Sequence, residues 1–138
     1  EWRMMPDFSI ELPDRPGELA RLASRFREAD VSLLGIWGYG GAGRARFFCV
    51  PERADQFRNF VDSTDLEVCE GTTFFISGVD HGGALVERLD QIAGAGINLQ
   101  AIEAVRLGDQ FGCFLWAHAD DWGRIAEVLD GAIPRPHA

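Results

Sequence analysis

Two short segments of the sequence combine an aspartate with glycines in a pattern that suits the binding of a small charged molecule. They read Asp14-Arg15-Pro16-Gly17 and Asp80-His81-Gly82-Gly83. Each follows residues with the alternation of a strand and precedes residues with helical spacing, so each is expected at a helix N-terminus. The N–H groups exposed there favour a carboxylate, and a glycine allows its close approach.

Other polar residues could complete such a site. The carboxylates of Asp14 and Asp80 suit a ligand's ammonium group, and His81 in the second loop is a further candidate contact. Ser32 and Asn98 each stand at the start of the next predicted strand and offer neutral hydrogen bonds. An aspartate before a helix is also a common N-cap, and polar residues often begin strands. The sequence leaves both roles open for all of these residues, and Pro16 and Gly17 also fit a tight loop without a ligand.

The sequence contains no arrangement that predicts catalysis or a metal site. All 13 basic residues are arginine, which excludes lysine Schiff-base chemistry. The three histidines do not have the spacing of metal ligands, and no Ser-His-Asp or Cys-His set can be assembled from the sequence. We therefore predict no catalytic residue, no metal and no cofactor.

Composition argues against two classes of partner. The net charge of −9 opposes nucleic-acid binding, which needs clustered basic residues. No apolar run approaches the ~18 residues of a membrane span, so no membrane partner is expected. Cys49, Cys69 and Cys113 are odd in number and lack C-x-x-C spacing, which predicts buried, reduced thiols in a cytoplasmic protein.

The chain contains an internal repeat. The segment from Asp14 to Leu19 resembles the segment from Asp80 to Leu85, at an offset of 80 minus 14, or 66 residues. The same offset aligns Ala29-Asp30-Val31-Ser32-Leu33 with Ala95-Gly96-Ile97-Asn98-Leu99. It also pairs Ile36 with Ile102, Phe48 with Phe114 and Asp55 with Asp121. A repeat of this length predicts two copies of one structural unit.

Each copy has the same predicted order of elements, β-α-β-β-α-β, which is the ferredoxin-like arrangement. An alternating strand is followed by an amphipathic helix, a hairpin with a glycine turn and a second helix. We predict an α+β fold with two such units in tandem, at residues 7–70 and 71–138. Residues 1–6 belong to neither unit. The helix residues expected to be buried against the sheets are Leu22, Phe26, Leu89 and Ile92.

The second copy departs from this pattern at its last strand. Only residues 131–138 follow its second helix, and they include Pro134 and Pro136, which cannot donate to a strand ladder. We expect this strand to be short or missing, with its place taken by another segment or another subunit. Because both helices cover one sheet face and an open edge invites pairing, we also expect self-association as a homodimer.

These segments resemble the ACT domain family. The resemblance lies in a strand, Asp14-Arg15-Pro16-Gly17-Glu18-Leu19, a helix and Ala29-Asp30-Val31-Ser32-Leu33, and the second copy resembles the family more loosely. It covers about Phe8 to Leu129 and implies an allosteric sensor of small molecules, commonly amino acids, built from units that pair. It also implies that ligand binds at the pairing interface, near the first strand–helix loop and the start of the second strand. Asp14 and Ser32 stand where similar domains often carry asparagine.

These observations predict a cytoplasmic regulatory protein that binds an amino acid, has no catalytic activity and passes the signal to a partner. Two other functions stay open. The chain could be a regulatory subunit that docks on an enzyme without binding a ligand. It could also be a small enzyme, since this scaffold hosts many chemistries.

Overall fold

The computed structural model describes residues 1–80 and 82–131. Predictions that concern His81 and residues 132–138 therefore lie outside the described residues. The first half of the chain forms β1 (Trp2–Pro13), α1 (Glu18–Glu28), β2 (Leu33–Gly41), β3 (Arg44–Pro51) and α2 (Ala54–Asp62). It is followed by β4 (Val68–Val79), α3 (Ala84–Gly94), β5 (Leu99–Leu107), β6 (Gln110–Ala117), a 3₁₀ turn (Ala119–Asp121) and α4 (Trp122–Leu129).

The chain folds into two compact units. The first unit is Pro6–Thr72, and the second combines Glu1–Met5 with the described chain from Thr73 onward. The long strands β1 and β4 each contribute to both units. The hydrogen-bonded strand order is β2-β3-β1-β4 in the first unit and β1-β4-β6-β5 in the second. The predicted α+β fold with two ferredoxin-like units is confirmed.

Both predicted hairpins are antiparallel, with Trp37 opposite Phe48 between β2 and β3 and Glu103 opposite Phe114 between β5 and β6. The first hairpin turns at Ala42-Gly43, where φ is 54° and 79°. Two positive φ values define the type I′ turn, whose twist matches that of the strands it joins. This turn places the end of β2 beside the loop that precedes α1.

Each unit has its own hydrophobic core between its helices and one face of its sheet. In the first unit, alternate residues of β1 pack with α1 and α2, and the buried side chains are Phe8, Ile10, Leu12, Leu22, Phe26, Cys49, Phe57 and Phe60. In the second unit Ile92 is buried, and Leu89 is partly buried against the same core. Leu22, Phe26 and Ile92 therefore have the predicted burial, while Leu89 keeps partial exposure.

The fourth strand of the second unit comes from the beginning of the described chain. The Glu1 nitrogen donates to the Ser77 carbonyl at 3.1 Å, and the Ser77 N–H donates to the Glu1 carbonyl at 2.9 Å. Trp2 packs on Phe74 with ring centroids 6.1 Å apart, and its indole N–H donates to Asp130 at 2.7 Å. Residues 1–6, which have no role in the sequence-based prediction, thus include a strand. Of the two expected replacements for this strand, another segment or another subunit, the structure contains a segment of the same chain.

Candidate functional site

The two predicted loops have the same backbone geometry in both copies. Gly17 precedes α1 with φ 88°, and Gly83 precedes α3 with φ 92°. These are left-handed conformations that glycine adopts without a steric penalty. Each loop is also tied to the neighbouring hairpin turn: the N–H of Asp14 donates to Gly43 at 3.0 Å, and that of Asp80 to Asp109 at 2.6 Å. Each loop directly precedes a helix, α1 or α3, as the sequence predicts.

The two loop aspartates make different contacts. The Asp80 carboxylate accepts hydrogen bonds from the N–H groups of Gly82, at 2.8 Å, and Ala84, at 3.4 Å. These bonds, and the charge of Arg106, hold the pKa of the Asp80 carboxyl below its ordinary value. Asp80 therefore acts as a cap for its own helix, which is one of the two roles left open by the sequence.

Asp14 is directed towards the edge strand of the first unit instead. Its carboxylate lies against Gly40 of β2, where an added Cβ would be only 2.9 Å from Oδ2 and 3.1 Å from Oδ1. Glycine at position 40 therefore makes room for this carboxylate. The two copies share one loop backbone but use the aspartate in different ways.

Arg15 is held by an acidic neighbour in the first helical turn. Its guanidinium donates to the Glu18 carboxylate at 3.0 Å, and Arg21 donates to the same oxygen at 3.0 Å. Partial burial raises the pKa of the Glu18 carboxyl, but the hydrogen bonds and charges of the two arginines outweigh it, so the pKa is lowered overall. Arg15, a predicted ligand contact, is thus part of an Arg15–Glu18–Arg21 cluster at the start of α1.

Within each unit, the loop aspartate and the polar residue at the next strand start are far apart. Ser32 directly precedes β2, whereas Asp14 contacts Gly40 near the other end of that strand. Eight residues of extended chain span roughly 25 Å. Asn98 likewise precedes β5, while Asp80 is bonded to the turn that follows it. No single copy of either unit brings these predicted partners together.

A groove of about 510 Å³ lies between α1 and β2 in the first unit. Ser32 lies on its rim, together with Arg27 and Asp30, which are not among the predicted site residues. The apolar lining consists of Leu19, Ala23, Phe26, Val31, Leu33 and Ile36. A volume of this size lies within the range of small-molecule sites, which are mainly apolar with a few convergent polar groups.

The helix-to-strand turn that carries Asp30 is repeated in the second unit. The Asp30 N–H donates to the Arg27 backbone carbonyl at 3.1 Å, and the Val31 N–H donates to the Phe26 backbone carbonyl at 2.9 Å. Together these two bonds form the Schellman motif. Gly96 is the equivalent residue in the second copy. Both residues have positive φ, 60° for Asp30 and 76° for Gly96. The sequence repeat could thus have pointed to Asp30 as a site residue, because Asp30 is a charged residue at the position where the other copy has glycine.

The other grooves and clusters of charged residues are weaker candidates for a ligand site. A smaller groove of about 280 Å³ is lined by Phe8, Arg58, Val61, Asp62, Val68 and Glu70, and Arg58 binds Glu70 through two hydrogen bonds of 2.9 Å. Within residues 1–80 and 82–131, no group of three or more His, Cys, Asp or Glu side chains could hold a metal ion. No helix in the same ranges is long and apolar enough to cross a membrane.

The three cysteines are free thiols, as predicted, but only two are buried. Burial raises the pKa of Cys49 and of Cys113 to about 12, so neither thiol ionises near neutral pH. Cys69 on β4 is exposed, contrary to the prediction of burial. The preceding residue, Val68, packs against the core of the first unit, so Cys69 points to the opposite face of the strand.

The chain is similar to known proteins in its fold. No family model and no curated protein matches the sequence. Among solved structures, protein BT0572 from Bacteroides thetaiotaomicron matches with a TM-score of 0.83 and 15% identity, over 95% of this chain and 90% of that one. The ligand-free regulatory subunit of aspartate kinase from Thermus thermophilus matches with a TM-score of 0.66 and 13% identity, over 94% and 93%.

A structure of aspartokinase alpha and beta subunits also matches, with a TM-score of 0.61, 16% identity and 95% coverage of each chain. At these identities the matches show the fold alone. The chain therefore shares its α+β fold, over almost its whole length, with the regulatory subunit of an aspartate kinase.

Proposed function

We propose that this chain is a regulatory protein that binds an amino acid, catalyses no reaction and passes the signal to a partner protein. The main support for the proposal is the α1–β2 groove, which has the size of a metabolite site. Ser32 lines it together with the positively charged Arg27 and the negatively charged Asp30. The fold shared with a kinase regulatory subunit and the resemblance to ACT domains both support a regulatory role. The free thiols agree with a cytoplasmic location.

The proposal includes a homodimer formed through β2. This strand lies at the edge of the first unit's sheet and carries no charged side chain, and such an edge is suited to pairing with another chain. Ile36 is 43% exposed and Tyr39 is 60% exposed on it. The edge that the sequence leaves open in the second unit is filled by Trp2–Met5, so it no longer contributes to the case for a dimer.

Antiparallel pairing of two β2 strands would gather the predicted site residues. With the pairing centred on Trp37, the start of one strand lies beside the end of the other. Ser32 of one copy would then lie near Ala42 of the second copy, next to the loop that contains Asp14 and Gly17. A ligand carboxylate at that helix N-terminus would face the groove of the first copy.

We propose the first unit as the main site. In the second unit the Asp80 carboxylate already accepts hydrogen bonds from the N–H groups of Gly82 and Ala84, so a ligand carboxylate would compete with it. Gly83 belongs to that loop, and Asn98 directly precedes β5. They remain candidate contacts of weaker sites, as does His81.

Isothermal titration calorimetry with each of the 20 common amino acids at millimolar concentration tests the proposal. We expect saturable heat with at least one of them and recovery of that amino acid unchanged after incubation. Absence of heat with every amino acid contradicts the proposal. In that case, capture of a specific enzyme by the full chain would favour a docking subunit that binds no ligand. Conversion of the bound amino acid would instead indicate an enzyme.

A further inference from the structure

We propose that the α1–β2 groove selects amino acids with apolar side chains and that Arg27 and Asp30 hold the two charged ends of the ligand. This inference rests on the proposed function and adds a ligand class, two binding residues and a stoichiometry. The Arg27 guanidinium would contact the carboxylate, together with the helix N-terminus of a second copy. Asp30 would accept hydrogen bonds from the ammonium group, with Ser32 beside it.

The lining of the groove indicates the ligand class. Its walls are aliphatic or aromatic, and Leu19 and Ile36 remain 45% and 43% exposed at its mouth. An apolar ligand side chain would cover this surface and gain hydrophobic free energy. A charged or amide side chain would lose hydration against these apolar walls without gaining a hydrogen-bond partner from them.

Charge complementarity on the rim indicates a zwitterion. Arg27 and Asp30 carry opposite charges, and neither forms an ion pair within the two described ranges. Other arginines of α1 do have carboxylate partners: Arg21 binds Glu18 at 3.0 Å, and Arg25 lies 3.9 Å from Asp65. The two groove residues are thus available for the charge-assisted hydrogen bonds that an amino acid offers.

The backbone of Asp30 supports a role beyond the turn. Its φ of 60° falls in the left-handed region, where aspartate is tolerated but glycine is favoured. The second copy forms the same turn with Gly96, so the turn itself does not require a carboxylate. A strained non-glycine residue on the rim of a cavity is a recurrent feature of binding sites.

The second copy provides an internal comparison. It keeps apolar residues at the positions of Phe26, Val31, Leu33 and Ile36, as Ile92, Ile97, Leu99 and Ile102. It differs at the three positions that matter for a ligand: Leu89 replaces Ala23, Ala93 replaces Arg27 and Gly96 replaces Asp30. The second copy therefore lacks both charges and has a larger side chain at the position of Ala23. We infer one high-affinity ligand per chain.

Calorimetry on the full chain tests this inference with leucine, isoleucine and phenylalanine against glycine, serine, aspartate and lysine. We expect the apolar group to bind best, at one molecule per chain. Asp30→Asn and Arg27→Gln should each weaken binding by at least about tenfold, the loss expected for a charge-assisted hydrogen bond. Ala23→Leu, which introduces the residue found at position 89 in the second copy, should abolish binding by occupying part of the groove.

Two further variants separate binding from folding. Asp30→Gly should melt at the same temperature as the wild type or higher, and should still bind at least about tenfold more weakly. Gly96→Asp, the matched change in the second copy, should keep wild-type affinity.

The outcomes distinguish this inference from the proposed function. Absence of heat with every amino acid overturns both. Wild-type affinity in Asp30→Asn, Arg27→Gln and Ala23→Leu overturns the inference alone, as does a preference for charged amino acids or two equivalent ligands per chain.

Discussion

At Gly17 and Gly83 the backbone angle φ determines which residue type the position accepts. Both stand directly before a helix with φ near 90°, and an added Cβ would meet no atom within 4 Å at either position. The requirement for glycine is therefore conformational rather than a matter of space. The sequence predicts these two glycines at helix starts, because turn residues before a helical spacing are a strong local signal.

We expect Gly17→Ala to lower the free energy of unfolding by about 1–2 kcal/mol, the cost of a left-handed conformation for an L-residue. Gly41→Ala is the matched control, since Gly41 also has open space around it but no positive φ. Its effect should stay within about 0.5 kcal/mol. Urea unfolding of both variants checks this, and equal costs would contradict the conformational explanation.

Asp80 should make the stability of the chain depend on pH in the acid range. Its folded-state pKa lies below the ordinary value of 3.8, so the ionised carboxylate contributes stability above that value. The contribution is lost as pH falls through the lower folded-state pKa. From about pH 5 to about pH 3, wild type should therefore lose more stability than Asp80→Asn. Parallel stability curves for the two proteins would show that the carboxylate has no such role.

The roles of Arg27 and Asp30 are harder to predict from the sequence than those of the glycines. A helix-terminal arginine or aspartate usually faces solvent, and only the packing of α1 beside β2 places both on one groove rim. The aligned repeat contains a partial signal, because Asp30 stands opposite Gly96. Local sequence patterns predict backbone conformation well, but they do not predict which side chains from different elements lie close together.

At the level of elements, β1 differs most from the sequence-based prediction. Its first residues form the fourth strand of the second unit and join a distant part of the sequence, since Glu1 bonds to Ser77, 76 positions later. Strand pairing over such distances leaves no local pattern in the sequence, whereas the order of the remaining elements follows from periodicity and turn residues. The separation of Ser32 from Asp14 arises from the length of β2, which places its two ends roughly 25 Å apart.

Trp2→Ala should destabilise the second unit by about 2 kcal/mol, since it removes a partly buried ring and the hydrogen bond to Asp130. Met4→Ala is the control in the same strand. Met4 is 44% exposed, so its removal should cost well under about 1 kcal/mol. Thermal unfolding of both variants measures the difference. A cost for Trp2→Ala no larger than that for Met4→Ala would mean that this strand contributes little to the unit.

For the whole molecule, the proposed dimer through β2 gives a prediction about mass. Light scattering at about 10 µM and physiological salt should give twice the 15.3 kDa chain mass. Tyr39→Lys places a charge on the proposed dimer edge and should return the chain to a monomer. Val105→Lys, on the exposed edge strand of the second unit, should leave the dimer intact. A monomeric wild type, or equal behaviour of the two variants, would contradict pairing through β2.

A crystal structure of the full chain grown with saturating leucine would show directly whether the α1–β2 groove binds an amino acid. We expect leucine in the α1–β2 groove, with its side chain against Ala23 and Ile36 and its charged ends at Arg27 and Asp30. Leucine bound at another place on the chain, with the groove empty, would contradict it.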